Sequence, residues 1–226
     1  WRLSRADPEA IGFVLPLSDS RFVTSDGGRG LTVWNWPANG GFDSLPMGGT
    51  LPTLQLPARL TLAPLRLPGD QLQFVAPDSA GLSLLEVEAN GELKLVRRWP
   101  LSGIRSCSVH STPEGVRLAL VLGRSQLAWL DPRKSEVEWI HDLGEGHDLV
   151  GQPLLLDRDL LVADQGGRYR LVAISKGHPR AGGYELRGSI APCSGPVWFG
   201  TDRILCPLSD GTLIVLERQS LSRVTP

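Results

Sequence analysis

Cysteine is scarce in this sequence, and no two cysteines lie close enough to form a Cys-x-x-Cys pair. The 226 residues contain three cysteines, at Cys107, Cys193 and Cys206. An odd number cannot be fully paired within one chain, and a domain of this length does not need disulfides to fold. The cysteine content therefore excludes a disulfide-stapled scaffold and leaves the redox compartment undetermined. We expect all three to be small buried side chains.

An excess of either charge is also missing. Lys and Arg number 23 against 24 Asp and Glu, which gives a net charge of −1, and the two signs alternate along the chain. A nucleic-acid-binding surface needs clustered basic residues, so we expect no nucleic acid as a partner. The longest apolar runs, such as residues 149–156, are far too short to span a membrane.

The start of the sequence resembles no targeting segment. The chain begins at Trp1 and has neither a charged segment nor an apolar stretch of the kind that forms a signal peptide. We therefore expect an excised domain of a larger protein, with a membrane anchor or another domain upstream as open alternatives. The localisation stays unknown.

The sequence also has few patterns that predict a helix. The sequence has 18 Pro and 26 Gly, and no window of ten or more residues carries apolar positions at helical spacing between sensible caps. Short apolar or alternating runs bounded by Gly, Asp and Ser are abundant instead, for example residues 21–25 and 31–36. This pattern predicts an all-β fold.

A repeat organises these runs. Two of them flank a tight turn at residues 25–28, and the same arrangement returns at residues 78–81, 123–125, 165–167 and 209–211. A period of about 40 to 50 residues made of strands predicts the blades of a β-propeller. We predict one domain over residues 1–226 with about five four-stranded blades. Their approximate ranges are 10–56, 57–101, 102–147, 148–190 and 191–226.

Two segments bear on whether these blades form a complete ring. In residues 1–5, Trp1 and Leu3 alternate with polar residues, which fits a strand. We predict that residues 1–9 close a five-bladed ring beside the last blade, whose own fourth strand is predicted at residues 220–224. The alternative is that the five blades belong to a larger ring with more blades.

The third repeat carries the most specific motif. Residues 126–139 contain Asp131 at the end of a strand and Trp139 eight residues later, with Ser135 in the turn between them. This segment resembles the repeat of quinoprotein-like (PQQ-like) β-propellers, in which a glycine usually stands in the turn, and WD-repeat propellers share much of the pattern. Residues 149–153 and 194–197 resemble the segment that begins the next blade in that family. The resemblance implies that Trp139 packs between neighbouring blades.

The same resemblance raises the question of a quinone cofactor. Quinoprotein dehydrogenases need a calcium ion held by carboxylates and amides beside a tryptophan, and no such set can be placed by motif here, so we expect no cofactor. Residues 141–148 contain His141, His147 and three carboxylates, the best metal or acid/base candidate. Their spacing is not that of a known ligand set, so we expect a polar turn and no metal. The repeated turn residues Asp26, Asp78 and Asp210 are predicted to accept hydrogen bonds from their own backbone.

Binding residues are predicted on one face of the propeller. Trp34 and Trp36 flank Asn35, so both face the same side of a strand, and tryptophan is frequent at binding hot spots. The extended loop of residues 37–48, which contains Phe42, is the one clear insertion. The binding candidates are therefore Trp34, Trp36, Phe42, His141 and His147. Core packing between blades is the alternative for the tryptophan pair.

No catalytic constellation is visible, and a propeller fold alone does not specify an activity. We predict a non-catalytic scaffold that binds another protein, or a carbohydrate or other small ligand, as one module of a larger protein. Two alternatives stay open. One is a glycan-active enzyme, which requires carboxylates that converge in the propeller funnel. The other is an extracytoplasmic sensor domain of a signalling protein.

Overall fold

The computed structural model describes residues 12–35, 53–186 and 190–222. Within these ranges it contains 19 strands and one short helix. The strands form five antiparallel sheets, each built from strands that follow one another along the chain. The all-β prediction is therefore confirmed. In the described part of the chain, no helix has the length and apolar character needed to cross a membrane.

The chain divides into two compact units, the first ending at Ile104 and the second beginning at Arg105. The prediction of a single domain over residues 1–226 stays a prediction. Two four-stranded sheets make up the described part of the first unit. Sheet one consists of β1 (Val14–Pro16), β2 (Arg21–Ser25), β3 (Gly30–Asn35) and β4 (Thr53–Gln55), and sheet two of β5 (Leu65–Arg66), β6 (Gln73–Asp78), β7 (Gly81–Val87) and β8 (Leu93–Trp99).

Sheets one and two pack face to face around a shared core. Val23 and Leu31 of sheet one and Phe74 and Leu85 of sheet two are all within 1% of complete burial. Alternate residues of a strand point to opposite faces, so the alternation in residues 21–25 and 31–35 places one apolar set in this core. The core explains why these runs are apolar at every second position.

The described part of the second unit contains three sheets. Sheets three and four have four strands each and sheet five has three. Sheet three consists of β9 (Ile104–Thr112), β10 (Gly115–Leu122), β11 (Gln126–Leu130) and β12 (Trp139–Asp142), and sheet four of β13 (Leu149–Leu156), β14 (Asp159–Asp164), β15 (Arg168–Ala173) and β16 (Pro179–Glu185). Sheet five consists of β17 (Val197–Phe199), β18 (Arg203–Pro207) and β19 (Leu213–Glu217), and the helix α1 (Arg218–Ser222) follows it.

Sheet four is covered on both faces. Leu160 and Val162 pack against sheet three, in a core that includes Leu127. Leu161 packs on the opposite side, in a core that includes Ile204 of sheet five. A strand that is buried on both faces needs apolar residues at consecutive positions, which explains the uninterrupted run at residues 160–163.

The first strands of neighbouring sheets approach each other at glycines. Gly151 has a φ of 67°, and a Cβ placed on it would collide with the backbone of Gly195, two residues before β17 of the next sheet. Ser106 Oγ donates a hydrogen bond to the Gly151 carbonyl at 2.7 Å, so sheet three joins the same contact. Only glycine permits this positive φ and this close approach together. The residues that resemble the beginning of a family blade therefore lie where three sheets meet.

The repeated turn aspartates behave as predicted. Oδ1 of Asp26, Asp78 and Asp210 accepts a hydrogen bond from the amide two residues downstream, at 2.7, 2.8 and 3.0 Å respectively. Such side-chain bonds replace a backbone partner that a tight turn leaves unmatched. The prediction that these aspartates support their own turns is confirmed.

The predicted fourth strand of the last blade is wrong. Residues 220–224 were expected to form it, but α1 (Arg218–Ser222) occupies most of that stretch. The Arg218 amide donates to the Asp202 carbonyl at 2.9 Å, and Leu221 is buried in the core between sheets four and five. These anchors turn the chain into a helical turn instead of a further strand. Residues 1–9, predicted to close the ring, lie outside the described residues.

Candidate functional site

The structure places one of the two predicted binding tryptophans. Trp34 lies on β3, half-buried, and its Nε1 donates to Thr24 Oγ1 at 2.8 Å. Its ring stacks on Phe22 with centroids 6.1 Å apart and planes within 7°. Trp36 and Phe42 lie outside the described residues, so the prediction that these three aromatics form a recognition site stays a prediction.

The two predicted histidines have different neighbours. The His141 ring on β12 meets the His178 ring edge-on, with centroids 5.1 Å apart. His147 Nδ1 lies 3.3 Å from Asp164 Oδ2. Within the described ranges, no three His, Cys, Asp or Glu side chains come together as a metal site would require. The metal hypothesis for residues 141–148 therefore gains no support from the geometry.

Asp142 and residues 144–148 line part of a cavity of about 500 Å³. Asp142 accepts hydrogen bonds from Ser125 Oγ at 2.6 Å and from the Gly144 amide at 2.9 Å. Asp148 lies between Arg105, at 2.5 Å, and Arg124, at 2.9 Å. These donors hold the pKa of both carboxyl groups below the usual range. Both carboxylates thus stay ionised and fix the loop, which does not suit a general acid.

Asp78 is a fully buried carboxylate held by an arginine. Its two oxygens receive Arg98 Nη1 and Nη2 at 2.7 and 2.8 Å, a bidentate pair that raises the pKa of the guanidinium. A buried charge is tolerated when it is paired and hydrogen-bonded in this way. The pair joins the end of β6 to β8 within sheet two.

Asp131, the aspartate of the family-like motif, is held in the same manner. Arg133 Nη2 lies 2.7 Å from Asp131 Oδ2, and the buried Arg117 lies 3.3 Å from the same oxygen. Hydrogen bonds from Arg133 lower the pKa of Asp131 to about 2. Sequence reasoning identified this aspartate but missed both arginines. Its role in the structure is to close the turn between β11 and β12.

Trp139 packs between sheets three and four, as the resemblance implied. Its Nε1 donates to the Ile174 carbonyl at 2.6 Å. Its ring lies against the turn at Gly177, whose φ is 70° and where a Cβ would strike the indole. Trp129 stacks beside Trp139 with centroids 6.5 Å apart. The tryptophan therefore locks one sheet to the turn of the next.

His110 lies on the other side of Trp129 and was not predicted. The two rings are 6.0 Å apart, and Ser108 Oγ lies 2.8 Å from His110 Nε2. Burial lowers the pKa of His110 to about 4, although a backbone hydrogen bond at Pro153 opposes the shift. The imidazole is therefore neutral at pH 7. No signal in the sequence distinguished it from the other histidines.

The cysteines divide between buried and exposed positions. Cys107 and Cys206 are buried, which raises the pKa of their thiols to about 12 and about 11. Cys193 is exposed, so the expectation that all three would be buried is wrong for this residue. Cys193 lies in the segment before β17, next to Pro192, which forms an isolated bridge with Leu208 just after β18.

Several exposed apolar side chains of the second unit lie together on sheet five. Val197, Leu205 and Val215 are register partners, so they share one face of the sheet. On this outer face Val197 is 49% exposed and Val215 52%. On the opposite face Ile204, Cys206 and Leu216 pack against sheet four, whereas Trp198 at its edge is 38% exposed. We define the outer face by its residues: Val197, Phe199, Leu205, Leu213 and Val215.

The sequence did not reveal the outer face. The strands of sheet five alternate and are apolar like those of sheets three and four. Nothing in such a pattern states which faces are covered by a neighbouring sheet. The exposed fractions of Phe199, at 56%, and Leu213, at 60%, become visible only in the folded chain.

Comparison with known proteins gives a fold and no family. No protein-family model and no curated protein sequence matches the chain. Among solved structures it resembles BBS1N, crystallised in complex with ARL6DN, with a TM-score of 0.59 and 14% identity over 87% of this chain. It also resembles BamB from Moraxella catarrhalis, with a TM-score of 0.56 and 12% identity over 96% of this chain.

Both of these proteins are β-propellers, and BamB is of the PQQ-like kind. The predicted β-propeller fold is therefore confirmed, with the five sheets as its blades. The matches cover 60% of the BBS1N chain and 61% of the BamB chain, so this chain spans about three fifths of each. At such low identity the likeness concerns the fold alone.

Proposed function

We propose that this chain is a non-catalytic β-propeller scaffold that binds another protein, and that the outer face of sheet five is the binding surface. The observation that carries the proposal is the exposure of this face, where Phe199, Leu213 and Val215 are each more than half exposed. Contiguous exposed apolar patches are rare on soluble monomers and mark interaction sites.

The composition of the outer face also favours a protein partner. Its centre is apolar, and one end carries Arg203 and Glu217, which are register partners of opposite charge. An apolar centre with a polar rim is the usual anatomy of a protein interface. The solved relative BBS1N is itself seen in complex with another protein, ARL6DN.

The buried carboxylates support a scaffold over an enzyme. Asp78 and Asp131 are each engaged by an arginine within 2.7 Å. A glycosidase would instead need one carboxyl group whose pKa is raised so that it can donate a proton, whereas the pKa of Asp131 is lowered to about 2. The glycan-active enzyme and the sensor domain stay hypotheses.

Affinity purification from the source cells tests the proposal. The proteins recovered are compared for three forms of the chain. The forms are the unaltered chain, the double variant L213K/V215K, and Ile140→Lys as a matched control. Ile140 is 50% exposed on β12, so its replacement adds charge to an exposed apolar strand position away from sheet five. All three forms are first checked for equal thermal stability.

We expect one protein to be enriched with the unaltered chain and with Ile140→Lys but lost with L213K/V215K. That protein is then purified and must bind the chain directly, with at least about a hundredfold loss of affinity for the double variant, as for a central apolar anchor. Equal recovery with all three forms, or no binding between the purified components, would contradict the proposal.

A further inference from the structure

The cavity of about 500 Å³ lies where three loops of sheets three and four meet. Arg124 and Ser125 come from the turn between β10 and β11. Asp142 and residues 144–148 belong to the connection between β12 and β13, and Gln165 to the turn between β14 and β15. The volume is in the range of small-molecule sites. None of these residues belongs to the outer face of sheet five, so the cavity is independent of the proposed function.

Two carboxylates at the cavity lack a cationic partner. Asp142 accepts hydrogen bonds from Ser125 Oγ and the Gly144 amide, which are neutral donors. Its third donor, Gln126 Nε2 at 3.3 Å, is also neutral. Glu145 is exposed, and within the described ranges it forms no ion pair. Unpaired carboxylates in a partly enclosed space attract a positively charged group.

The third carboxylate, Asp148, is already neutralised. Arg105 and Arg124 bind it, one at each oxygen. Arg124 donates through both Nε and Nη2 to the same oxygen of Asp148, so these two donors are not available to a ligand. Three carboxylates stand against two arginines, which leaves an excess of one negative charge at the cavity when His147 is neutral. The cavity therefore does not favour an anion.

His147 adds a hydrogen-bond acceptor that is held in place. Its side chain is 17% exposed, and its Nδ1 lies 3.3 Å from Oδ2 of the buried Asp164. Asp164 also accepts hydrogen bonds from Arg170 Nε and from the Arg168 amide, both at 3.2 Å. A carboxylate only accepts, so Nδ1 of His147 carries the proton, and in the neutral imidazole Nε2 is an acceptor. Among the described residues none bonds to Nε2, which is left for a ligand.

We propose that the cavity binds an organic cation with several N–H donors, an ammonium or a guanidinium group. Glu145 and Asp142 supply the opposite charge, and His147 Nε2 accepts a hydrogen bond. The groups that remain unpaired are acceptors, so the ligand must bring both the donors and the positive charge. A metal ion would need several converging ligands, and the described residues supply no group of three. The cation has two sources, a free amine or guanidine and a basic side chain of another protein.

NMR titration of the full chain with matched probes tests the proposal. The first probe is acetyl-Gly-Arg-Gly-amide, and its control is acetyl-Gly-citrulline-Gly-amide, in which a neutral urea of similar shape replaces the guanidinium group. The third probe is n-butylguanidinium, which carries the same charge without peptide bonds. We expect the two cationic probes to shift the amide signals of residues 142–148 and the imidazole signals of His147 in a saturable manner. The citrulline peptide should bind at least about tenfold more weakly.

Two isosteric variants locate the charge. Glu145→Gln removes a carboxylate from the cavity and should weaken binding of the arginine peptide by about three- to fivefold, as for an exposed ion pair. Glu136→Gln is the matched control, because it removes the same charge from an exposed position between β11 and β12, at the opposite end of β11 from Ser125. Its effect should stay below about 1.5-fold, since screening by salt limits the reach of a surface charge.

A third variant tests the acceptor. His147→Phe keeps an aromatic ring and removes Nε2, and it should weaken binding by about fivefold. If His147→Phe proves unfolded, the response of the His147 imidazole signals in the unaltered chain decides.

The two cationic probes also identify the source of the cation. Tighter binding of n-butylguanidinium than of the arginine peptide supports a free amine or guanidine, and the reverse order supports a basic side chain of another protein. Three results would overturn the inference. They are the absence of saturable shifts at residues 142–148 with either cationic probe up to about 10 mM, equal affinity for the citrulline and arginine peptides, and equal losses for Glu136→Gln and Glu145→Gln.

Discussion

Sheets four and five both contain strands rich in apolar residues, but their surroundings differ. In sheet four, Leu160 and Leu161 are neighbours on β14, point to opposite faces, and are both completely buried. In sheet five, Leu216 is buried on the inner face and Val215, beside it on β19, is 52% exposed on the outer face. Apolar residues at consecutive positions thus contribute to a core only where a second sheet covers them.

This difference in burial determines which apolar residues stabilise the fold and which remain available for binding. Burial of a leucine side chain contributes about 1.5 to 3 kcal/mol, and an exposed leucine contributes little of this. The outer face of sheet five therefore keeps apolar area whose burial is still available as binding free energy. In sheet four the corresponding apolar area is already buried in the folded chain.

The largest effect is expected from truncation of one leucine in each of the two sheets. Leu161→Ala leaves a cavity in the core between sheets four and five and should lower the free energy of unfolding by about 3 kcal/mol. Leu213→Ala removes side-chain atoms that solvent already reaches and should change it by less than about 0.5 kcal/mol. Urea denaturation followed by circular dichroism measures both. Equal losses would mean that the outer face is covered in solution.

Acid should lower the free energy of unfolding without any mutation, through His110 on β9 of sheet three. Because burial lowers the pKa of His110 to about 4 from an ordinary 6.5, the unfolded chain binds a proton that the folded chain does not in this pH window. The stability that the neutral His110 confers is fully present above pH 6.5. As the pH falls to 4 this part of the free energy of unfolding is lost, by at most about 3 kcal/mol. Unfolding free energies between pH 7 and pH 4 measure it.

The control for this pH dependence is a histidine on the surface. His110→Gln should flatten the dependence between pH 6.5 and 4, because the titrating group is gone. His178→Gln, which replaces an exposed imidazole, should leave the dependence of the unaltered chain in place. A pH profile that is the same for His110→Gln and the unaltered chain would refute the assignment to His110.

A smaller effect is expected where Trp139 meets the turn after β15. Gly177→Ala places a methyl group against the indole at a residue whose φ is 70°, so both sterics and backbone oppose it. We expect a loss of about 1 to 2 kcal/mol in the free energy of unfolding. Gly200→Ala is the matched control, because its φ is 74° and no atom lies within 4 Å of the added carbon. The excess loss at Gly177 measures the contact with Trp139.

The fold was accessible from the sequence because its determinants are local. Apolar runs of strand length recur at each repeat, and turn aspartates such as Asp26 and Asp78 at three of the five turns, so the number and type of sheets followed from spacing. The contact of Trp139 with the next sheet followed from the resemblance. These features depend on residues close together in the chain, or on a motif that is short enough to recognise.

The candidate site could not be predicted from the sequence in the same way. The exposure of Val215 depends on which sheet faces it, and the partner of His141 is His178 on another sheet, not His147 in the same loop. Arg98 and Arg117, which reach Asp78 and Asp131 from other strands, were missed because ion pairs between strands leave no spacing rule. Arg133 was missed although it lies only two residues from Asp131. The helix after β19 was missed because the burial of Leu221, which anchors it, is set by the core between sheets four and five.

Thiol labelling is the smallest perturbation that we predict, and it distinguishes the covered from the open part of sheet five. Cys206 lies on the inner face and is buried, and burial raises the pKa of its thiol to about 11, whereas Cys193 is exposed. The thiolate is the reactive form, so a disulfide reagent such as DTNB at pH 8 should label Cys193 rapidly and Cys206 only after unfolding. Cys193→Ser should abolish the fast phase and Cys206→Ser should leave it intact. If Cys206 were labelled as fast as Cys193 in the folded chain, the inner face of sheet five would open readily, and the contrast between its two faces would not hold.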